Sequence, residues 1–289
     1  MANATANGIQ IEYDTFGNTS DPALLLIMGG GSQMIYWEVE FCSLLAKKNF
    51  FVIRFDNRDV GLSTKFENAD IPDMMKAMNG GSIATAYTLE DMADDAIGLL
   101  DALGIEKAHI CGASVGGMIA QVISYRHPER VLTLTSIMSS TGNPALPQIK
   151  PEVLAEVYKP VPNDREAYIE HYVNMWRKLW SPGFPFDEKR LRTLMAESYD
   201  RSYYPQGLAR QSAAVLAYGY RKSSIASIKV PTLVIHGSND PFMSVEGGKE
   251  IAQLIHNAKL LIIDGMGHDI PKEIWPTIID AISTLRVTS

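Results

Sequence analysis

The stretch Lys107-Ala-His-Ile-Cys-Gly-Ala-Ser-Val-Gly-Gly-Met-Ile-Ala120 decides the fold of this chain. Residues 107–111 predict a short buried strand, and residues 115–127 predict an apolar helix. Ser114 lies at the turn between them, with a glycine two residues before it and another two residues after it. Such a turn is typical of a nucleophilic serine, because a strained backbone presents the hydroxyl and the glycines avoid clashes between strand and helix. An ordinary glycine–serine turn is the alternative interpretation.

The composition is that of a globular enzyme. A chain of 289 residues, 46% hydrophobic and 20% charged, is long enough to bury a large core and does not have the composition of a disordered protein. The net charge is −7 and no basic cluster occurs, so we expect no nucleic-acid partner. The two cysteines, Cys42 and Cys111, form neither a disulfide framework nor a metal-ligand spacing.

The sequence also predicts where the protein acts. Residues 1–8 are small and polar and lack the apolar core of a signal peptide. The longest apolar run, Ala23 to Met28, is far too short to cross a bilayer. We therefore expect a soluble, cytoplasmic protein with no membrane partner. Its oligomeric state does not follow from the sequence.

Short apolar segments alternate with amphipathic segments in the first and last parts of the chain. The predicted strands are residues 9–13, 23–28, 50–55, 107–111, 131–138, 232–236 and 259–263. The predicted helices between them are residues 34–48, 89–103, 115–127, 244–255 and 276–285. Most of the strands are continuously apolar, as parallel strands buried on both faces are. This pattern predicts an α/β fold with a mostly parallel central sheet flanked by helices.

The alternation is interrupted after residue 138. No strand is predicted up to residue 229, and many prolines separate four helical stretches. These stretches are residues 152–158, 165–180, 187–200 and 207–220. We therefore predict an α/β core of residues 1–140 and 230–289, with a helical cap inserted at residues 141–229. The insertion is rich in aromatic residues, some of which are expected to line a ligand cavity.

A serine nucleophile needs a base, because its free hydroxyl is barely ionised at neutral pH. Of the six histidines, His268 follows the last predicted strand in the glycine-rich loop Asp264-Gly-Met-Gly-His268. Active sites of parallel sheets lie at this edge, beyond the carboxyl ends of the strands. His236 ends the preceding strand at the same edge and is the rival base. Its position before the candidate acid does not fit the chain order of this pattern.

The acid that orients the histidine is expected after the strand of residues 232–236. Asp240 is the only carboxylate in that loop, whereas the loop after residues 131–138 offers none. Asp264 is nearer to His268 in sequence, but we expect it to lie in solvent at the end of a strand. The order Ser114, Asp240, His268 then places nucleophile, acid and base as in hydrolases of this pattern.

Acyl transfer also needs hydrogen-bond donors for the developing oxyanion. One donor is the backbone N–H of Val115, at the N-terminus of the predicted helix. The second is expected from the loop Met28-Gly-Gly-Gly31, where glycine lets the backbone approach a substrate. A plain glycine-rich turn is the alternative for this loop, and the lack of a phosphate-site lysine excludes a P-loop.

Together these motifs resemble the α/β-hydrolase superfamily over essentially the whole chain. Leu24-Leu-Leu-Ile-Met-Gly-Gly30 and Val52-Ile-Arg-Phe-Asp-Asn-Arg-Asp-Val-Gly-Leu-Ser63 are more similar still to the aclacinomycin methylesterase branch. In that branch Met-Gly-Gly replaces the commoner His-Gly. The resemblance implies that Gly30 is the second oxyanion donor and that the insertion is the helical cap of the family. It also implies that Arg58 braces the active-site loops.

The residues and the resemblance predict a serine carboxylesterase of small to medium uncharged esters, with an acyl-enzyme on Ser114. No metal or organic cofactor is expected. Serine at position 114 argues against haloalkane dehalogenases and epoxide hydrolases, which use a carboxylate nucleophile. A methylesterase of an aromatic polyketide-like ester, a cofactor-free perhydrolase and a carbon–carbon bond hydrolase remain alternatives with the same triad. A non-catalytic small-molecule receptor is the alternative from another class.

Overall fold

An eight-stranded sheet forms the centre of the computed structural model, which describes residues 1–78 and 80–287. The strands are β1 (Ala2–Ala6), β2 (Ile9–Phe16), β3 (Ala23–Ile27), β4 (Phe51–Phe55), β5 (Ala108–Ala113), β6 (Val131–Ile137), β7 (Thr232–Gly237) and β8 (Lys259–Ile263). Their order in the sheet is β1-β2-β4-β3-β5-β6-β7-β8. The β1–β2 and β2–β4 pairs are antiparallel, and all the other pairs are parallel. The predicted mostly parallel sheet is confirmed.

Helices cover both faces of this sheet. They are α1 (Val39–Ala46), α2 (Met74–Met78), α3 (Leu89–Ala102), α4 (Val115–Arg126), α5 (Pro151–Val157), α6 (Arg165–Leu179), α7 (Glu188–Arg201), α8 (Gln206–Tyr218), α9 (Lys222–Ala226), α10 (Val245–Leu254) and α11 (Trp275–Val287). One apolar core joins α3, α4 and α10 to the sheet, and a second core joins α1 and α11 to its other face. Strands β3, β5 and β7 are buried along their whole length, which explains their continuous apolar sequence. None of the described helices is long and apolar enough to span a membrane.

Two local features differ from the prediction. Strand β1 was not predicted, because its small and polar residues form an edge strand held by antiparallel pairing with β2. The predicted helix of residues 34–48 is divided into a 3₁₀ turn at Met34–Tyr36 and helix α1. The Asp56 carboxylate accepts a hydrogen bond from the Met34 backbone N–H at 2.7 Å, and Arg54 donates to the Trp37 carbonyl. A continuous helix would pair the Trp37 carbonyl with the backbone N–H four residues later, so its contact with Arg54 accounts for the division, whereas the Met34 N–H would be unpaired at the start of either helix.

The five helices α5 to α9 lie between β6 and β7, in the stretch predicted as a helical insertion. Helices α6 and α7 pack against each other around a small apolar core of their own, which includes Tyr168, Val173 and Met195. Asp164 and Asp187 cap the N-termini of α6 and α7 by accepting backbone N–H groups. Within residues 141–229, which we call the insertion, α6 and α7 therefore share an internal core, whereas Ala214 of α8 and Ile225 of α9 belong to the first core of the sheet.

Candidate active site

Ser114 lies at a sharp turn between β5 and α4, with φ 55° and ψ −120°. This conformation is strained for a residue with a side chain. The flanking glycines are needed for space: a Cβ on Gly112 would lie 2.0 Å from the Gly116 carbonyl oxygen, and a Cβ on Gly116 would lie 2.1 Å from the Ile27 carbonyl oxygen. The close approach predicted for strand and helix is therefore present, and it presents the serine at the carboxyl edge of the sheet.

The structure brings the three predicted residues Ser114, Asp240 and His268 together. The Nε2 atom of His268 lies 3.0 Å from the Ser114 hydroxyl oxygen, and Nδ1 lies 2.7 Å from Oδ2 of Asp240. A carboxylate can only accept hydrogen bonds, so we assign the histidine proton to Nδ1, which faces Asp240. The Nε2 atom is then free to accept a hydrogen bond from the Ser114 hydroxyl. All three side chains are buried. This arrangement can remove the serine proton and hold the resulting imidazolium against a carboxylate.

The environment of Asp240 keeps its carboxyl ionised. Burial alone would raise its pKa, but the adjacent His268 and His236 rings outweigh burial and hold the pKa of Asp240 below its ordinary value. The Oδ1 atom also accepts the backbone N–H groups of Phe242 at 2.9 Å and Met243 at 2.8 Å. These bonds fix the carboxylate so that Oδ2 points toward His268.

The two alternatives to this acid and base lie elsewhere. Asp264 is exposed, and its Oδ1 accepts a hydrogen bond from the Ser238 hydroxyl at 2.9 Å. The His236 ring is fully buried, and Nε2 donates to the Met243 carbonyl at 2.8 Å. The same atom lies 3.4 Å from Oδ2 of Asp240, so His236 contacts the acid rather than the serine. The sequence did not predict this second histidine beside Asp240.

The glycine loop lies across from the serine. A Cβ on Gly29 would lie 3.2 Å from the Ser114 Cβ, and a Cβ on Gly30 would lie 3.1 Å from Cγ2 of Val115. Val115 is the first residue of α4, and the first N–H groups of a helix have no acceptor within it. The structure therefore brings both predicted oxyanion donors, Gly30 and Val115, to the wall of the same cavity.

Long-range hydrogen bonds hold this loop in place. Asn57 donates to the Met28 carbonyl at 3.0 Å. From α8, the fully buried Gln211 accepts the Gly31 backbone N–H at 2.7 Å and donates to the Arg58 carbonyl at 2.8 Å. Neither residue was assigned a role from the sequence: Asn57 lies within the motif of residues 52–63 but was not singled out there, and Gln211 lies in no recognisable motif.

The implied role of Arg58 needs a correction. Its guanidinium makes two hydrogen bonds of 2.6 and 2.7 Å to Asp95 on α3, so the side chain braces a helix of the core. Within the stretch of residues 56–63, Asn57 makes the side-chain contact with the glycine loop. The Arg58 backbone carbonyl is linked to that loop indirectly, because it accepts a hydrogen bond from Gln211, which in turn binds Gly31.

A cavity of about 410 Å³ opens onto Ser114 and His268. Its walls come from both the sheet edge and the insertion, and most of the side chains are apolar. They include Met28, Met118, Met138, Tyr158, Tyr172, Trp176, Leu208, Leu216 and Phe242. The Phe242 ring lies 5.0 Å from the His268 ring, between centroids. Within the described part of the chain, no group of three or more His, Cys, Asp or Glu residues could hold a metal ion.

Comparison with known proteins agrees with this geometry. The family model for the alpha/beta hydrolase fold matches residues 22–273. A rhodomycin D methylesterase, DauP of Streptomyces sp. (strain C5), is 28% identical, over 96% of this chain and 95% of its own length. The 3-oxoadipate enol-lactonase 2 of Acinetobacter baylyi is 24% identical, over 90% of this chain and 87% of its own.

A solved structure of similar shape is the meta-cleavage product hydrolase of Pseudomonas fluorescens IP01. It has a TM-score of 0.78 and 22% identity, and the match covers 100% of this chain and 98% of that one. At this identity the likeness concerns the fold alone. The methylesterase relative confirms the resemblance to the methylesterase branch seen in the sequence. The chain belongs to the alpha/beta hydrolase fold family, because the family model matches most of the length of the chain.

Proposed function

We propose that the protein is a serine carboxylesterase in which Ser114 is the nucleophile, His268 the general base and Asp240 the residue that orients the base. One observation carries the proposal: hydrogen bonds of 3.0 and 2.7 Å join the three side chains in series beside a mostly apolar cavity. The methylesterase and enol-lactonase relatives, whose names describe hydrolysis of an ester bond, support a hydrolase of this class.

Acylation begins when Nε2 of His268 accepts the hydroxyl proton of Ser114 and the oxygen attacks the ester carbonyl. The negative charge that develops on the carbonyl oxygen is stabilised by the N–H groups of Gly30 and Val115. Asp240 stays ionised and stabilises the imidazolium. The tetrahedral intermediate then collapses, and His268 returns the proton to the leaving alcohol. The acyl group is left on the serine.

Deacylation uses the same groups, with water in place of the alcohol. His268 accepts the proton of the water, and the resulting hydroxide attacks the acyl-enzyme. The oxyanion again binds the two backbone N–H groups, and the acid is released when the proton returns to Ser114. In this scheme the side chains and backbone groups of the chain supply every proton transfer and every hydrogen bond to the oxyanion.

We further propose that the insertion acts as a cap and selects small to medium uncharged esters. Tyr158, Tyr172, Trp176 and Leu216 of the insertion line the cavity over Ser114, so a substrate is enclosed between the insertion and the sheet edge. An apolar enclosure of about 410 Å³ favours an uncharged substrate of bounded length. A methylesterase of an aromatic ester is the second candidate, supported by the methylesterase relative over 96% of the chain.

Labelling with a fluorophosphonate tests the proposed nucleophile. We expect the wild-type protein to gain one covalent adduct, located on Ser114 by peptide mass spectrometry, and Ser114→Ala to gain none. The buried Ser139, whose hydroxyl donates to the Ser114 carbonyl at 2.8 Å, provides the control variant Ser139→Ala, which should still react. A folded wild-type protein that resists the probe would favour a non-catalytic receptor over an esterase.

A further inference from the structure

A second, smaller pocket adjoins the catalytic cavity. It has a volume of about 80 Å³, against about 410 Å³ for the main cavity. The two share the wall residues Met28, Tyr36, Met138 and Trp176, so the small pocket, which we call the side pocket, lies directly beside the large one. A complete ligand site is usually several hundred cubic ångströms. The side pocket therefore suits one branch of a ligand whose reacting part lies elsewhere.

Asp269 supplies the unusual polar group of this pocket. It follows His268 directly, lines the side pocket and is only 6% exposed. Its Oδ1 atom accepts the Ser181 hydroxyl at 2.5 Å, and the Ser181 oxygen in turn accepts the Gly267 backbone N–H at 2.7 Å. The other oxygen, Oδ2, is buried and has no hydrogen-bond partner among the described residues. An unsatisfied buried acceptor is costly, so its retention calls for a partner that binds from outside the chain.

The other charged groups that line the side pocket already have partners within the chain. Arg190 pairs with Glu38, and its guanidinium lies 5.1 Å from the centre of the Trp275 ring. Asp187 is exposed and accepts the Arg190 backbone N–H as the cap of α7. Asp269 is thus the one charged group lining this pocket that has a buried and unpaired polar atom.

We propose that Asp269 forms a subsite that binds a hydroxyl group on the substrate. The proposal rests on the esterase function, since the side pocket opens beside the proposed catalytic residues. When the carboxyl is ionised, a hydroxyl donates one hydrogen bond to Oδ2, whereas an ether or a hydrocarbon at the same place leaves that oxygen unpaired, so the two are compared at pH 8. Burial raises the pKa of Asp269 to about 7, so the carboxyl is only partly ionised near neutrality. A neutral hydroxyl therefore fits better than an ammonium group, which would also be repelled by the positive charge of Arg190 in the same pocket.

A series of methyl esters tests this subsite. Methyl ω-hydroxyalkanoates of four to eight carbons are compared with the matched ω-methoxy, ω-ammonium and unsubstituted esters, and kcat/KM is measured from released acid. At the best chain length we expect kcat/KM for the hydroxy ester to exceed kcat/KM for the methoxy ester by on the order of 10- to 100-fold. In Asp269→Asn that ratio should fall to about one, because the amide can place a donor where Oδ2 was.

Asp187→Asn is the matched control. It removes one carboxylate from the same pocket and keeps a good helix cap, so the hydroxy-to-methoxy ratio should stay at the wild-type value. Damage to folding or to His268 would lower kcat/KM for both esters equally and leave their ratio unchanged. A wild-type ratio near one at every chain length would overturn the subsite, as would an unchanged ratio in Asp269→Asn or a preference for the ammonium ester.

Binding to Ser114→Ala separates this proposal from the proposed function. Calorimetry with the same hydroxy and methoxy esters should give a Kd ratio of on the order of 10 or more in favour of the hydroxy ester. Equal Kd values would count against the subsite even if the enzyme is an esterase. Conversely, selective binding in a protein whose wild type hydrolyses no ester would reject the esterase and leave the subsite standing.

Discussion

The side-chain oxygen of Gln211 accepts a hydrogen bond of 2.7 Å from the backbone N–H of Gly31, 180 residues earlier in the chain. Gly31 follows the proposed oxyanion donor Gly30, and the amide nitrogen of Gln211 is held by the Arg58 carbonyl. A residue of the insertion thus fixes the loop that has to point its N–H group at the reacting carbonyl. This bond joins the insertion directly to the glycine loop at the edge of the sheet.

The first prediction concerns this bond. Replacing Gln211 with Leu should lower kcat by about 10- to 100-fold and change KM by less than about threefold, because the misplaced donor binds the transition state and not the ground state. Gln206→Ala, at the first position of the same helix, should leave both constants near wild type. A rise in KM with kcat unchanged would show that Gln211 shapes the pocket instead.

The second prediction concerns the backbone at Ser114. Its φ of 55° and ψ of −120° strain any residue with a Cβ, whereas glycine adopts this region readily. Both Ser114→Ala and Ser114→Gly should lose activity by at least about 10⁴-fold. Between these two inactive variants, the glycine protein should have the larger free energy of unfolding, by about 1 kcal/mol. Urea denaturation of the pair measures the difference, and equal stabilities would mean that the turn is not strained.

The third prediction separates the candidate acids. Asp240→Asn and His268→Ala should each lower kcat by at least about 10³-fold, since each removes a member of the hydrogen-bonded series. Asp264→Asn should keep kcat within about twofold of wild type, because the exposed side chain binds Ser238, away from the three proposed catalytic residues. If Asp264→Asn were instead the inactive variant, the acid would be misassigned.

The local motifs explain how much of this site the sequence could predict. The turn at Ser114 needs glycine at both flanks, and the loops of Asp240 and His268 follow directly from their strands, so short stretches indicate each of them. The bounds of strands β3 to β8 were predictable to within two residues for the same reason, since buried parallel strands are continuously apolar, whereas β2 extends three residues beyond its predicted end. Each of these signals is contained in fewer than fifteen consecutive residues.

What the sequence could not reveal depends on contacts between distant segments. Gln211 reaches the site from a helix of the insertion, and its amino-acid type alone indicates nothing. His236 was expected at this edge of the sheet, but its contact with Asp240 was not. The division of the predicted helix 34–48 has the same origin, because Arg54 binds the Trp37 carbonyl, which a continuous helix would pair internally. Strand β1 exists through its pairing with β2 and has no apolar pattern of its own.

The fourth prediction concerns acyl length. On p-nitrophenyl esters, kcat/KM should rise to the acetate, butyrate or hexanoate and fall for longer chains, because side chains of the insertion line the cavity that opens onto Ser114 and limit its length. Leu216→Ala, which removes an apolar side chain from the cavity wall, should move the optimum toward longer chains. Peak activity on emulsified long-chain triglyceride, with activation at the interface, would identify a lipase instead.

The last prediction concerns pH and the buried Asp269 carboxyl. Burial raises its pKa to about 7, although the Ser181 hydroxyl and the nearby His268 and Arg190 lower it in part. The folded state therefore holds this proton more tightly than the unfolded state between about pH 4 and pH 7. In that window the group's contribution to the free energy of unfolding decreases as the pH rises, and it is constant above about pH 7.

Asp269→Asn removes this dependence, so its stability relative to wild type should rise between pH 5 and pH 8 by on the order of 1–4 kcal/mol. Asp240 does not interfere, because its lowered pKa gives stability that is lost only below about pH 4. Urea denaturation of both proteins at the two pH values measures the change. A stability difference that stays constant with pH would mean that Asp269 is ionised throughout the range, and that Oδ2 has a partner within the chain.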